Sequence, residues 1–154
     1  MATKDRPFFI VGGGIGGLAT ALALALKGFR SIVAEQAPEF GEIGAGIQLG
    51  PNVFRMFEKL GVTEGINKYA VFPKGLMMRD VVTGEEVTTL PLNEAFMKRF
   101  KYPYGVIHRA DYHRVLLEAC QARPDLVTLR NGCKGADFED HGDHVTIEAG
   151  DRKS

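Results

Sequence analysis

The chain is poor in cysteine and carries no excess of charge. Its 154 residues include only two cysteines, Cys120 and Cys133, whose spacing fits neither a metal site nor a redox motif. We therefore expect reduced, buried thiols and a cytoplasmic setting. Lysine plus arginine and aspartate plus glutamate both number 19, so the formal net charge is zero. This balance argues against nucleic acid and against an anionic membrane surface, and it favours small-molecule partners.

Internal repeats and low-complexity linkers are also absent from the sequence. Hydrophobic residues make up 45% of the chain and charged residues 25%, which is an ordinary globular composition. We expect a single domain over residues 1–154.

The strongest pattern is a glycine-rich turn near the N-terminus. Residues 8–11 form a short apolar run that leads into Gly12-x-Gly14-x-x-Gly17, and a helix rich in alanine and leucine is expected to follow to about residue 27. Gly12 would permit the tight turn, Gly14 the approach of a pyrophosphate, and Gly17 the packing of helix on strand. The free N–H groups of such a helix favour an anion.

A carboxylate follows at a characteristic distance. Residues 31–34 predict a second strand that ends in Glu35, about 20 residues beyond the glycines, where a carboxylate accepts hydrogen bonds from an adenosine ribose. Strand, turn, helix and acid together predict a dinucleotide site. They do not decide between NAD and FAD.

Two other interpretations of this stretch compete. Residues 7–26 contain no charge and include Gly13-x-x-x-Gly17, as a transmembrane helix with a small-residue face would. Lys4 and Arg6 before an apolar run also resemble a signal peptide. Each glycine costs a lone helix about 1 kcal/mol relative to alanine, whereas a strand-turn-helix requires them. The nucleotide site is therefore favoured.

The rest of the chain alternates helical and strand patterns. Residues 36–49 predict a glycine-rich loop, and a short helix is expected from Pro51 to a stop at Gly61. Further predicted elements are a hairpin over 75–90 turning at Thr83-Gly84, a helix over 93–100, a strand over 105–108 followed by Arg109, a helix starting at Asp111, and strands over 126–130, 135–138 and 145–149 that end the chain as a meander.

Three segments in order, VGGGIGGLATALAL, IVAEQAPEFGEIGAGIQLGPN and VIHRADYHRVLLEA, resemble the N-terminal part of FAD-dependent aromatic hydroxylases, such as salicylate and 3-hydroxybenzoate hydroxylases. The resemblance implies an α/β fold of Rossmann-like, FAD-binding type. It begins as βαβ with a parallel sheet, carries an inserted β-hairpin and a C-terminal antiparallel meander, and is incomplete at its C-terminus.

The resemblance also implies a set of cofactor contacts. The glycine turn would hold the FAD pyrophosphate, and the segment from Gly44 to Gln48 would line the ribityl and flavin end. Arg109 would reach phosphate or ribityl oxygens, since a guanidinium fork suits them. The cofactor-binding candidates are Gly12, Gly14, Ile15, Gly16, Gly17, Glu35, Gln36, Ala45, Gly46, Gln48 and Arg109.

The activity implied is NAD(P)H-dependent hydroxylation of a phenolic or aromatic carboxylate substrate, in which reduced FAD activates dioxygen. The full-length enzyme would be a homodimer. Such hydroxylases are more than twice as long, so we expect this chain to be the FAD-binding portion of a longer enzyme, and no catalytic residue is assigned. The alternatives are a stand-alone, non-catalytic FAD- or NAD-binding module and an NAD-linked dehydrogenase.

Two polar clusters are set aside. His141-x-x-His144 with Asp140 and Asp143 resembles a metal site but falls on a predicted turn, so no metal is expected. The basic stretch at residues 98–101 is interpreted as a solvated helix end rather than a nucleic-acid surface.

Overall fold

Two parallel strands joined by a helix open the chain. The computed structural model describes residues 6–41 and 44–151. In it β1 (Phe8–Val11), α1 (Ile15–Leu26) and β2 (Ser31–Ala34) form the predicted βαβ start, with Phe8 opposite Ser31 in a parallel ladder. The chain divides into two units, the first made of residues 1–43 and 112–154 and the second of residues 44–111. The prediction of one domain over residues 1–154 stays a prediction.

The first unit is built on a three-stranded parallel sheet in the order β1-β2-β7, where β7 is Val127–Arg130. Helix α5 (Arg109–Gln121) begins at the end of the second unit and runs into the first, where it contributes fully buried residues. The helix begins at Arg109 rather than at the predicted Asp111. Its apolar residues recur at helical spacing, as expected for a helix with one buried face. The core of this unit includes Leu18, Leu22, Val33, Leu116 and Cys120, all 0% exposed.

The predicted C-terminal meander is wrong in its first strand. Strands β8 (Cys133–Asp140) and β9 (Val145–Asp151) do form an antiparallel pair. The preceding strand, β7, instead lies parallel to β2, with Val127 opposite Ser31. The reason is that β7 pairs with β2, which is far away in sequence, and Val127 becomes buried there. The residues of β7 alone do not indicate which strand they will pair with.

The second unit contains two antiparallel strand pairs, β3 with β6 and β4 with β5. In chain order its elements are β3 (Gly46–Leu49), α2 (Pro51–Leu60), α3 (Thr63–Asn67), β4 (Gly75–Arg79), β5 (Glu86–Pro91), α4 (Glu94–Phe100) and β6 (Gly105–His108). The helices α2 and α4, the hairpin β4–β5 and the strand β6 confirm the predictions for these segments, whereas α3 was not predicted.

The predicted loop over residues 36–49 is wrong for its last four residues. Residues 46–49 form β3, paired antiparallel with β6 so that Gly46 lies opposite His108. The strand was not predicted because glycine is unfavourable in strands and interrupts their apolar alternation. The hydrogen bonds of the ladder to β6 stabilise it instead. Residues 42–43 of that loop lie outside the described residues.

A small aromatic core holds the second unit together. Phe54 and Phe57 on α2 are 2% and 0% exposed, and their rings meet edge to face with centroids 5.4 Å apart. Gly105 lies against the Phe54 ring, where a Cβ would come within 3.1 Å. The strands of the hairpin β4–β5, in contrast, are exposed except at the half-buried Leu76, and Val81 near the turn is 97% exposed.

None of the helices in the part of the chain that the structure describes is long and apolar enough to cross a membrane.

Candidate functional site

The glycine turn is a tightly packed strand-to-helix connection. Gly12 has φ +100°, a conformation that favours glycine, and its N–H donates to the Ala34 carbonyl at 2.8 Å. A Cβ placed on Gly17 would lie 1.9 Å from the Gly12 oxygen. A Cβ on Gly13 would lie 2.3 Å from the Phe40 ring, so that side chain would have to move. At Gly17 the obstacle is backbone, so the turn accepts no side chain there without a backbone shift.

The N-terminus of α1 is open to an anion. Gly14 is the N-cap residue and offers no side-chain cap, and the first turn contains no acidic residue. The helical hydrogen bond of this first turn joins the Leu18 N–H to the Gly14 carbonyl at 3.0 Å, and the N–H groups of Ile15, Gly16 and Gly17 precede it. A Cβ on Gly16 would meet nothing within 4 Å. Such N–H groups and the helix dipole favour a phosphate.

Glu35 is held against this turn by backbone N–H groups. Its carboxylate accepts hydrogen bonds from the Gly13 N–H at 2.7 Å and from the Ala37 N–H at 2.8 Å. The bond from Ala37, supported by the one from Gly13, lowers the pKa of Glu35 below its ordinary value, although burial opposes the shift. The acid is therefore ionised at neutral pH, and each oxygen keeps capacity to accept a further donor.

A cavity of about 200 Å³ lies beside Glu35 and the glycine turn in the first unit. Its lining residues are Val11, Gly12, Ala34, Glu35, Gln36, Cys133, Lys134 and Gly135. Gly12, Glu35 and Gln36 were predicted from the sequence, whereas the three residues of β8 were not. They reach the cavity because the Gly132 N–H donates to the Ala37 carbonyl and the Cys133 N–H to the Glu35 carbonyl, both at 2.8 Å. Nothing in the sequence indicates this pairing of residues 35–37 with residues 132–133, because the two segments are far apart along the chain.

His113 on α5 is a further residue that was not predicted. Its side chain is 2% exposed, and its Nε2 lies 2.7 Å from the Gly13 carbonyl oxygen. A buried histidine in contact with the glycine turn was not expected, since a single histidine in an amphipathic helix carries no positional signal.

The remaining predicted residues lie in the second unit. Gly46 and Gln48 alternate along β3, so they share one face of that strand, and both are exposed. The Arg109 N–H donates to the Ala45 carbonyl at 3.2 Å. The Arg109 side chain lies against Gly44, where a Cβ would come within 2.9 Å of its Cβ and Cδ atoms. The structure thus brings Ala45, Gly46 and Arg109 together.

The His141–His144 turn has the character of a local polar cluster. The two rings stack with centroids 4.5 Å apart, His144 Nδ1 lies 2.6 Å from Asp143 Oδ1, and His141 Nε2 lies 3.0 Å from Thr146 Oγ1. Across residues 6–41 and 44–151, no group of three or more histidine, cysteine, aspartate or glutamate side chains is arranged to hold a metal ion.

Comparison with known proteins decides the family. A family model described as an FAD binding domain matches residues 5–154. The chain belongs to this family. The resemblance to FAD-dependent aromatic hydroxylases is thereby confirmed, and the α/β class agrees with it.

Relatives of this FAD-binding domain are aromatic hydroxylases. It is 54% identical over 117 residues to the 3-hydroxybenzoate 6-hydroxylase of Polaromonas naphthalenivorans, covering 76% of this chain and 29% of the relative. It is 47% identical over 136 residues to 3-hydroxybenzoate 6-hydroxylase 1 of Aquipseudomonas alcaligenes, covering 88% and 34%. The chain therefore spans about a third of the length of these curated relatives.

A solved structure shares the architecture. The crystal structure of p-nitrophenol 4-monooxygenase from Pseudomonas putida matches with a TM-score of 0.86 and 25% identity, over 96% of this chain and 37% of that one.

Proposed function

We propose that this chain is the FAD-binding part of an NAD(P)H-dependent flavin monooxygenase that hydroxylates a hydroxybenzoate-like aromatic carboxylate. The observation that carries FAD binding is the Glu35 carboxylate fixed at a glycine turn beside the uncapped N-terminus of α1. The reaction class is supported by the two 3-hydroxybenzoate 6-hydroxylases described above. We also propose that the sheet β1-β2-β7 is the core of a Rossmann-like FAD-binding fold.

The residues of the first unit fit the adenosine diphosphate half of FAD. The N–H groups of Ile15, Gly16 and Gly17, with Gly12 and Gly14 leaving the approach clear, would receive the pyrophosphate. Glu35 would accept hydrogen bonds from the ribose hydroxyls through its remaining lone pairs. The cavity lined by Gln36 and by residues 133–135 would hold the adenine.

The residues of the second unit fit the flavin half. Ala45 and Gly46 are exposed and present backbone groups, and Gln48 adds an amide on the same strand face as Gly46. The backbone N–H of Arg109 donates to the Ala45 carbonyl, which places the arginine beside them. We propose that these groups bind the ribityl chain and orient the flavin ring. FAD, when bound, supplies the electron transfer and oxygen activation, so the protein needs to bind, orient and shield rather than react.

A flavin assay tests the binding part. The purified chain should take up FAD and show a flavin band at about 450 nm, which bound NAD lacks. The variant G17A should not retain FAD, because its Cβ would displace the turn. A colourless chain that is indifferent to added FAD would contradict the assignment and favour an NAD-linked protein.

A turnover assay tests the reaction class on the longest natural polypeptide that carries these residues. NADH or NADPH oxidation should be stimulated by 3-hydroxybenzoate and accompanied by a dihydroxylated product that incorporates oxygen from dioxygen. If FAD binds but no hydroxybenzoate stimulates the oxidation of NADH or NADPH, a non-catalytic module would be favoured.

We further propose that the longer polypeptide is a homodimer and lies in the cytoplasm. Sedimentation tests the oligomeric state, and cell fractionation tests the location.

A further inference from the structure

A buried histidine contacts one peptide group of the glycine turn. His113 Nε2 lies 2.7 Å from the Gly13 carbonyl oxygen, and the side chain is 2% exposed. A carbonyl oxygen only accepts hydrogen bonds, so Nε2 must carry the proton and donate it. The bond joins residues 100 positions apart within the first unit.

The peptide bond concerned, between Gly13 and Gly14, has glycine on both sides. Without Cβ atoms, rotation of this peptide plane meets little steric resistance. Because the peptide is planar and trans, fixing the Gly13 carbonyl toward His113 also fixes the Gly14 N–H in the opposite direction. The preceding peptide plane is fixed separately, since the Gly13 N–H donates to Glu35.

We propose that His113 is a positioning residue for the cofactor turn. It keeps the Gly13–Gly14 peptide in the orientation that directs the Gly14 N–H away from α5. A flipped peptide would exchange this N–H for a carbonyl oxygen, which repels a phosphate instead of binding it. This inference rests on the proposed function, because it concerns the turn that would hold the FAD pyrophosphate.

The helix that carries His113 is well placed to act as a rigid support. Seven residues further along α5, the Cys120 thiol contacts the Leu18 carbonyl at 3.4 Å, and Leu116 between them is 0% exposed. The same face of α5 therefore touches the backbone both at the turn and within α1. Of these two contacts, the one from His113 is made to the glycine peptide.

The test compares FAD and ADP affinities of four variants of the full chain by calorimetry. H113L removes the donor, H113N moves the amide closer to the helix backbone, and H113Q places an amide nitrogen close to the position of Nε2. C120A is the matched control, since it removes the other α5 contact with backbone and leaves His113 in place. We expect H113L and H113N to lose about tenfold in affinity for both ligands, as for loss of one buried hydrogen bond. H113Q and C120A should stay within about threefold of the wild type.

ADP is included because it occupies only the half of the site that the turn would hold. Unchanged affinities in H113L, or equal losses in H113L and C120A, would overturn the role of His113 and leave the proposed function intact. If H113L does not fold, the pair H113Q and H113N decides, and equal affinities in that pair would also overturn the role. A wild-type chain that binds neither ligand would overturn the proposed function, and the role of His113 with it.

Discussion

Gly17 is the residue at which the turn tolerates substitution least. In Gly17→Ala the new Cβ would lie 1.9 Å from the backbone oxygen of Gly12, so the helix or the turn must shift. We expect the free energy of unfolding to fall by about 2–3 kcal/mol, as in overpacked cores. Urea denaturation followed by circular dichroism measures the change. In the matched control Gly16→Ala, the Cβ meets nothing within 4 Å, and stability should rise by up to about 1 kcal/mol. Equal effects of the two substitutions would contradict the packing described for Gly17.

Glu35 links stability of the turn to pH. Its folded pKa is lowered, first by the Ala37 N–H, so its stabilising contribution is present above its ordinary value of 4.5 and is lost as pH falls through the folded pKa. Glu35→Gln offers one acceptor oxygen for two N–H donors and should lose about 1 kcal/mol at pH 7. Denaturation at a series of pH values should show the difference between wild type and variant shrinking below about pH 4.5. A difference that is constant with pH would contradict the two hydrogen bonds.

Sequence predicts residues of this site only where their role is local. Gly12, Gly17 and Glu35 could be predicted because each role depends on neighbours within one βαβ unit. His113 and Cys133 could not, because their contacts with the turn and with Glu35 arise only when distant segments pack together.

At the level of elements, two helices of the second unit end in the left-handed conformation with different residues. Gly61 follows α2 with φ +71°, where glycine carries no steric penalty, but Lys101 follows α4 with φ +66°. Lys101→Gly should raise the free energy of unfolding by about 1 kcal/mol, and Gly61→Ala should lower it by a similar amount.

The control for Lys101→Gly is Lys98→Gly, which removes the same charge three residues earlier, inside α4. That substitution should lower stability by about 1 kcal/mol, since glycine is unfavourable in a helix interior. Urea denaturation measures the free energy of unfolding of both variants. If Lys101→Gly were less stable than the wild type, this would contradict the left-handed conformation of Lys101 at the end of α4.

Helix ends and hairpin turns were predictable, whereas strand partners were not. A few adjacent residues determine the end of α2 at Gly61 and the N-cap of α4 at Asn93. The Asn93 side chain accepts a hydrogen bond from the Ala95 N–H at 3.0 Å. The partner of β7 and the existence of β3 depend on ladders to β2 and β6. Those ladders are contacts between distant segments, and the residues of one strand do not specify them alone.

The Cys120 thiol is buried in the core of the first unit, so its reactivity depends on whether that unit is folded. Burial raises the pKa of its thiol to about 11, against an ordinary value of 9.0, with Arg123 opposing the shift. Two pH units correspond to about a hundredfold less thiolate at neutral pH, so alkylation of Cys120 should be slowed at least that much relative to the unfolded chain. The variant C133S leaves Cys120 as the sole thiol, and mass spectrometry follows its reaction with iodoacetamide.

The same shift has a consequence for alkaline stability. A folded pKa above the unfolded one means that the folded chain holds more protons between about pH 9 and pH 11, so its stability falls as pH rises through that window. Replacing Cys120 by alanine in the C133S background should reduce this fall. Rapid native alkylation at pH 8 would show that the thiol is not buried in solution.

The strand order β1-β2-β7 also bears on how the protein is made. On the ribosome, β2 is complete at Ala34 but its second neighbour begins only at Val127. At typical rates of about 5–20 residues per second, one edge of β2 waits roughly 5–20 s for its partner strand. During that interval the nascent chain presents an unpaired apolar strand edge, a natural substrate for chaperones and a starting point for aggregation. Slowing translation over residues 35–126 should therefore reduce the soluble yield, and supplying chaperones should restore it.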